Sequence, residues 1–182
     1  MKKILLLTCI IGLFTPATLH AQDRANVFRH GKLDNGLTYY VRHTSMQPGK
    51  ADFYLVQNVG ALMEEDNQNG LAHFLEHMAF NGSESFKEGI PNFLKRRGVT
   101  RFNAQTGQDE TVYYMTAIPT NDTKLLDSCL LVMKDWSGFL LLKPDEIDKE
   151  RGVIREERRM RRNLGARLKE QSDPLVFNNS KY

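Results

Sequence analysis

The chain has 182 residues, with 25 Lys and Arg against 22 Asp and Glu, five His and a formal net charge of +3. Losing Lys2 and Lys3 with a leader would bring that to about +1, so charge gives no argument for nucleic-acid binding. The same cut removes Cys9 and leaves Cys129 alone, which excludes an internal disulfide, while about 160 remaining residues suffice for one compact core.

In chain order, Met1-Lys2-Lys3 is a short positive start, Ile4 to Phe14 an apolar run, and Leu19-His20-Ala21 a cleavage site before Gln22. This pattern predicts an export signal over residues 1–21 and a mature chain over residues 22–182. The apolar run is too short to span a bilayer and Pro16 interrupts it, so no stable membrane insertion is expected; an uncleaved anchor is the weaker alternative. Cys9 lies inside the run rather than at its end, which disfavours a lipid anchor. An exported protein without a disulfide fits a bacterial periplasm.

Residues 36–43 and 51–60 read as strands that suit a meander. A helix follows over 69–81. Asn69 is its candidate cap, Ala72, Phe74, Leu75, Met78 and Ala79 its apolar contacts, and Asn81-Gly82 a left-handed stop. Further helices are predicted over 89–97, 121–139 and 144–171, and a Thr-, Val- and Tyr-rich strand over 110–118, closed by Pro119. Cys129 falls in the apolar pattern of the third helix, with Leu125, Leu126, Leu130 and Met133, and reads as core. In the last helix Pro144 suits the first turn, and Asp145 and Glu146 suit its positive end. The arginines from Arg155 to Arg167 interleave with Glu156 and Glu157 as a solvated, ion-paired face. The predicted fold is α+β, helices packed on a mostly antiparallel sheet.

The helix over 69–81 carries His73, Glu76 and His77 as an H-x-x-E-H run. His73 and His77 lie one turn apart on one face, where two imidazoles can share a metal ion, and Glu76 stands where its carboxylate can reach a water. This is the inverted form of the H-E-x-x-H zinc-peptidase motif and implies metal-assisted hydrolysis. A core helix with two packed histidines would show the same residues, so a third ligand is required. The best carboxylates lie in residues 144–163. There Glu150 and Glu157 share a face two turns apart, Ile147, Val153 and Ile154 would press the helix inward, and Glu156 points roughly 100° away from Glu157.

HFLEHMAFNG, followed by ERGVIREE, resembles the pitrilysin/insulinase family of inverzincins, which includes mitochondrial processing peptidase. NGLTYYVRH over 35–43, FNAQTGQDETVYYMTAIP over 102–119 and the terminal NNSKY extend the resemblance across residues 27–182. It implies that His73, His77 and Glu157 bind one zinc ion per chain, that Glu76 is the general base, and that Glu150, seven residues before Glu157, supports the ligands from outside. The motifs stand a few residues further apart than is common in the family, which a loop insertion accommodates. Asn103, Ala104 and Thr106 match the family's Asn-Ala-x-Thr stretch, with Gln105 in place of the usual aromatic. They are expected to bind substrate as an added strand.

The implied function is a zinc-dependent endopeptidase acting on peptides or unfolded segments. Manganese or cobalt are substitutes that the same ligand set would take. Residues 22–182 are then the N-terminal peptidase domain, stopping before its end, and a second homologous domain or a partner chain is expected to close the chamber. The alternative is a non-catalytic peptide-binding subunit or inactive fragment of the same fold, and a third reading is a metal-free domain with two core histidines.

Overall fold

The computed structural model describes residues 28–178 and residue 180. The predicted export signal and its cleavage site lie outside these residues. Two compact units divide the chain after Met46.

The first unit holds an antiparallel hairpin of β1 (Phe28–Lys32) and β2 (Thr38–Arg42), in register from Phe28 opposite Arg42 to Lys32 opposite Thr38. Gly36 closes the turn with φ +89°, a conformation that a side chain would strain. Leu33 N–H donates to Leu37 O at 2.8 Å across it, and Asn35 Oδ1 accepts from Leu37 N–H at 3.1 Å. The strand predicted over 36–43 is present as β2, and among the described residues its ladder partner is β1, where the sequence suggested a meander with the strand near 51–60. FRHGK has no apolar alternation to announce β1.

The second unit is built on a three-stranded antiparallel sheet in the order β3-β5-β4, with β3 over Lys50–Gln57, β4 over Phe102–Thr106 and β5 over Thr111–Pro119. Thr111, Tyr113 and Met115 on β5 turn inward at the strand period of two; the next inward residue is Ile118, three further on. The extra residue is a bulge. Ala117 takes φ +60°, pairing skips between Ala51 and Phe53, and Asp52 Oδ1 accepts the displaced Ala117 N–H at 2.7 Å.

The helices are α1 (Leu71–Met78), α2 (Ile90–Arg96), α3 (Thr123–Trp136), α4 (Pro144–Arg161) and α5 (Leu164–Val176). One core joins the sheet's inner face (Leu55, Ala104, Tyr113, Met115) to Ile90 and Leu94 of α2 and to Leu125, Cys129, Val132 and Trp136 of α3. Trp136 stacks on Tyr113 with ring centroids 5.3 Å apart, and its indole N–H donates to Ala79 O at 3.0 Å, fastening α3 to the end of α1. The architecture is α+β, as the sequence predicts. Among the described residues no helix is long and apolar enough to cross a membrane.

Several local expectations are corrected. Helix α1 spans eight residues rather than the predicted thirteen-residue stretch, and Asn69 does not cap it. Gly70 opens the helix at φ +92°, and the Glu64 carboxylate accepts from Gly70 N–H and Ala72 N–H at 2.7 Å each, placing negative charge at the helix's positive end. Ala79 ends it in right-handed conformation, so Asn81-Gly82 is no left-handed stop. The long helix over 144–171 is two helices: Asn163 Oδ1 accepts from Ala166 N–H at 3.0 Å and starts α5 afresh. Val153 is 45% exposed and does not press α4 inward; Ile147, Glu150, Ile154 and Glu157 form its half-buried face.

Candidate metal centre

The face of α1 that carries His73 and His77 meets this half-buried face of α4. The two imidazoles stand edge to face, with ring centroids 4.7 Å apart and an interplanar angle of 83°. Glu157 Oε2 lies 3.5 Å from His73 Nε2 and 3.3 Å from His77 Nε2. All three ligand-type atoms fall within 4.8 Å of one another.

The donor set fits a zinc-type ion. Glu157 Oε2 is a buried carboxylate oxygen with no hydrogen-bond partner, a costly arrangement unless a cation satisfies it. Two ligand atoms each about 2.0–2.1 Å from a tetrahedral ion stand roughly 3.3–3.4 Å apart, close to the separations from Glu157. Two imidazole nitrogens and one carboxylate also leave a fourth position open, as catalytic zinc requires.

The surrounding side chains fix these donors. Glu150 Oε1 lies 2.8 Å from His77 Nδ1, and in the tautomer with the proton on Nδ1 the carboxylate accepts it and the Nε2 lone pair is left facing Glu157. Arg161, one turn after Glu157, pairs with its other oxygen, Oε1, so that Oε2 alone points at the histidines. Glu156 behaves differently. Its carboxylate is taken by Arg159 at 2.6–3.1 Å, which holds it below the usual carboxylate range.

Glu76 lies on the same helix but is buried, 8% exposed, and accepts a hydrogen bond from the Thr106 hydroxyl. Its negative charge is felt by Tyr113, whose hydroxyl is pushed from 10.0 up to about 12, first by burial and then by the Glu76 carboxylate.

The stretch predicted to bind substrate is strand β4, at the edge of the sheet. Among the described residues it pairs with β5 on one side only. Asn103 is exposed, Ala104 is buried in the core, and Thr106 turns toward Glu76. Ala104 thus presents only its main chain to a ligand, and the Thr106 hydroxyl is already engaged.

Two open grooves flank α4 beside the centre. One of about 660 Å³ is lined by His77, Lys149, Val153 and Met160; the other, of about 380 Å³, by His73, Phe74, Arg158 and Arg162. The Arg161–Glu157 pair belongs to the ion-paired face that the sequence predicts over Arg155 to Arg167. One contributor, Glu64, escapes the sequence reading, because it reaches the helix from outside.

The family model for Insulinase (Peptidase family M16) matches residues 34–170. The chain is 34% identical over 157 residues to a protein named zinc protease PQQL-like from Arabidopsis thaliana, covering 84% of this chain and 16% of that protein. It is also 34% identical over 184 residues to the probable zinc protease PqqL of Escherichia coli, covering 97% of this chain and 19% of that protein. Among solved structures, the first half of the periplasmic protease PqqL from Escherichia coli superposes with a TM-score of 0.78 at 32% identity, covering 85% of this chain and 34% of that one. The chain therefore spans less than a fifth of the length of these two curated relatives. With the fold, the family model and these relatives in agreement, the chain belongs to the insulinase family, peptidase family M16.

Proposed function

We propose that this chain provides the zinc site of an endopeptidase that hydrolyses peptide bonds in peptides or unfolded segments. The observation that carries the reading is Glu157 Oε2, buried without a hydrogen-bond partner and 3.3 and 3.5 Å from two histidine nitrogens. In this reading His73, His77 and Glu157 hold one zinc ion, and Glu150 orients His77. Zinc held there would lower the pKa of water toward about 7 and polarise the scissile carbonyl. Glu76 accepts the proton of the attacking water and returns it to the leaving amine. The open edge of β4 takes the substrate as an added strand, through main-chain hydrogen bonds at Asn103, Ala104 and Thr106, which leaves sequence demands loose.

The relatives' greater length supports a second homologous domain, or a partner chain, closing over the site. The leader-like residues 1–21 and the periplasmic relative support export to a bacterial periplasm.

The test compares the full chain, zinc-loaded, with its Glu76→Gln variant on an unstructured peptide. Glu76→Gln is expected to keep its zinc and lose roughly 10²- to 10⁴-fold in kcat. Undiminished cleavage by that variant removes Glu76 from the mechanism. Saturable binding by the parent protein with no metal-dependent cutting replaces the peptidase with a peptide-binding subunit.

A further inference from the structure

Among the described residues, Thr106 supplies the one hydrogen bond to the buried Glu76 carboxylate, through its Oγ1–H to Oε2. It does so from β4, whose register with β5 places Thr106 opposite Thr111 and Ala104 opposite Tyr113. Alternation along the strand turns Phe102, Ala104 and Thr106 inward and leaves Asn103 and Gln105 exposed. The Thr106 side chain therefore faces α1 while the strand's unpaired edge runs alongside.

We propose that Thr106 is a positioning residue for Glu76 rather than a side-chain contact for substrate, an inference that rests on the general-base reading of Glu76. A threonine hydroxyl has one proton to give, and giving it to Oε2 leaves Oε1 to take the proton of the attacking water. Branching at Cβ restricts χ1, so the hydroxyl's direction is set by the strand and not by a flexible side chain. A carboxylate on an eight-residue helix is thus aligned by the same strand that would set the register of the peptide. Misalignment of a reacting group by about 1 Å costs on the order of a hundredfold in rate, which is the scale at which such a bond matters.

The experiment uses the full zinc-loaded chain with Thr106→Val, which keeps the shape and removes the donor, and Thr106→Ser, which keeps the donor. Thr106→Val is expected to lower kcat roughly tenfold to a hundredfold, with KM and zinc content near the parent values, and Thr106→Ser to recover most of the rate. An unchanged kcat in Thr106→Val overturns the proposal. So does a raised KM at constant kcat, which returns Thr106 to substrate binding, and so does equal impairment of the Val and Ser variants.

A second readout needs no turnover. In metal-free protein, the Tm losses of Thr106→Val and Glu76→Ala are expected to be non-additive in the double variant, and simple additivity contradicts the contact. Glu76→Gln separates the two levels of the argument. If it stays active, the general-base reading fails; if it is inactive while Thr106→Val matches the parent, only the positioning role fails.

Discussion

Glu150 Oε1 lies 2.8 Å from His77 Nδ1, on the ring edge away from the Nε2 that faces Glu157. The carboxylate and the candidate ligand oxygen thus come from one helix, two turns apart, and grip opposite edges of one imidazole. Without Glu150 the ring is free to turn and to place its proton on Nε2. Glu150→Ala is expected to weaken zinc affinity by roughly 10- to 100-fold while leaving the fold intact, measured by competition with a chelator of known affinity. An affinity equal to that of the parent would deny Glu150 any part in orienting the site.

Asp135 is fully buried at the end of α3 and holds the loop after α1. It accepts from Ser83 Oγ at 2.7 Å, Ser85 N–H at 2.8 Å and Ser85 Oγ at 3.1 Å. Asp135→Ala leaves the buried Ser83 hydroxyl and a main-chain donor without their acceptor, at a cost of about 2–4 kcal/mol. The urea midpoint should fall with no change in the slope of the transition, and an unmoved midpoint would show the cluster to be dispensable.

Tyr113 gives the molecule an alkaline limit. Its hydroxyl titrates at about 12 in the folded protein against 10.0 as the ordinary value, so above pH 10 the unfolded chain loses this proton while the folded chain keeps it neutral. Ionisation then favours the unfolded state. The contribution is complete below pH 10 and is lost progressively as pH rises toward 12. Tyr113→Phe should flatten the fall of Tm across that interval, followed by calorimetry at several pH values. A parent and a variant with parallel curves would refute the assignment.

How far the sequence discloses the centre depends on the range of each signal. His73 and His77 are one helical turn apart, and Glu150 and Glu157 are two turns apart, so each pair is a local pattern that needs no tertiary knowledge. Choosing Glu157 over Glu156 required the family resemblance; Glu157 Oε2 lies 3.3 and 3.5 Å from the two histidine nitrogens, while Glu156 pairs with Arg159. Tertiary contacts were not legible. The Glu64 carboxylate caps α1 across a 3-10 turn, β1 has no apolar period, and Asn163 restarts a helix directly after the arginine-rich end of α4. Strand β4 was hidden because Asn103 and Ala104 are residues depleted in strands.

Zinc per folded chain, by elemental analysis of the zinc-replete chain beside its Glu157→Ala and Glu156→Ala variants, tests the central claim most directly. The geometry predicts close to one equivalent in the parent and in Glu156→Ala, and a large loss in Glu157→Ala. A folded parent without zinc, or full zinc in Glu157→Ala, would contradict it.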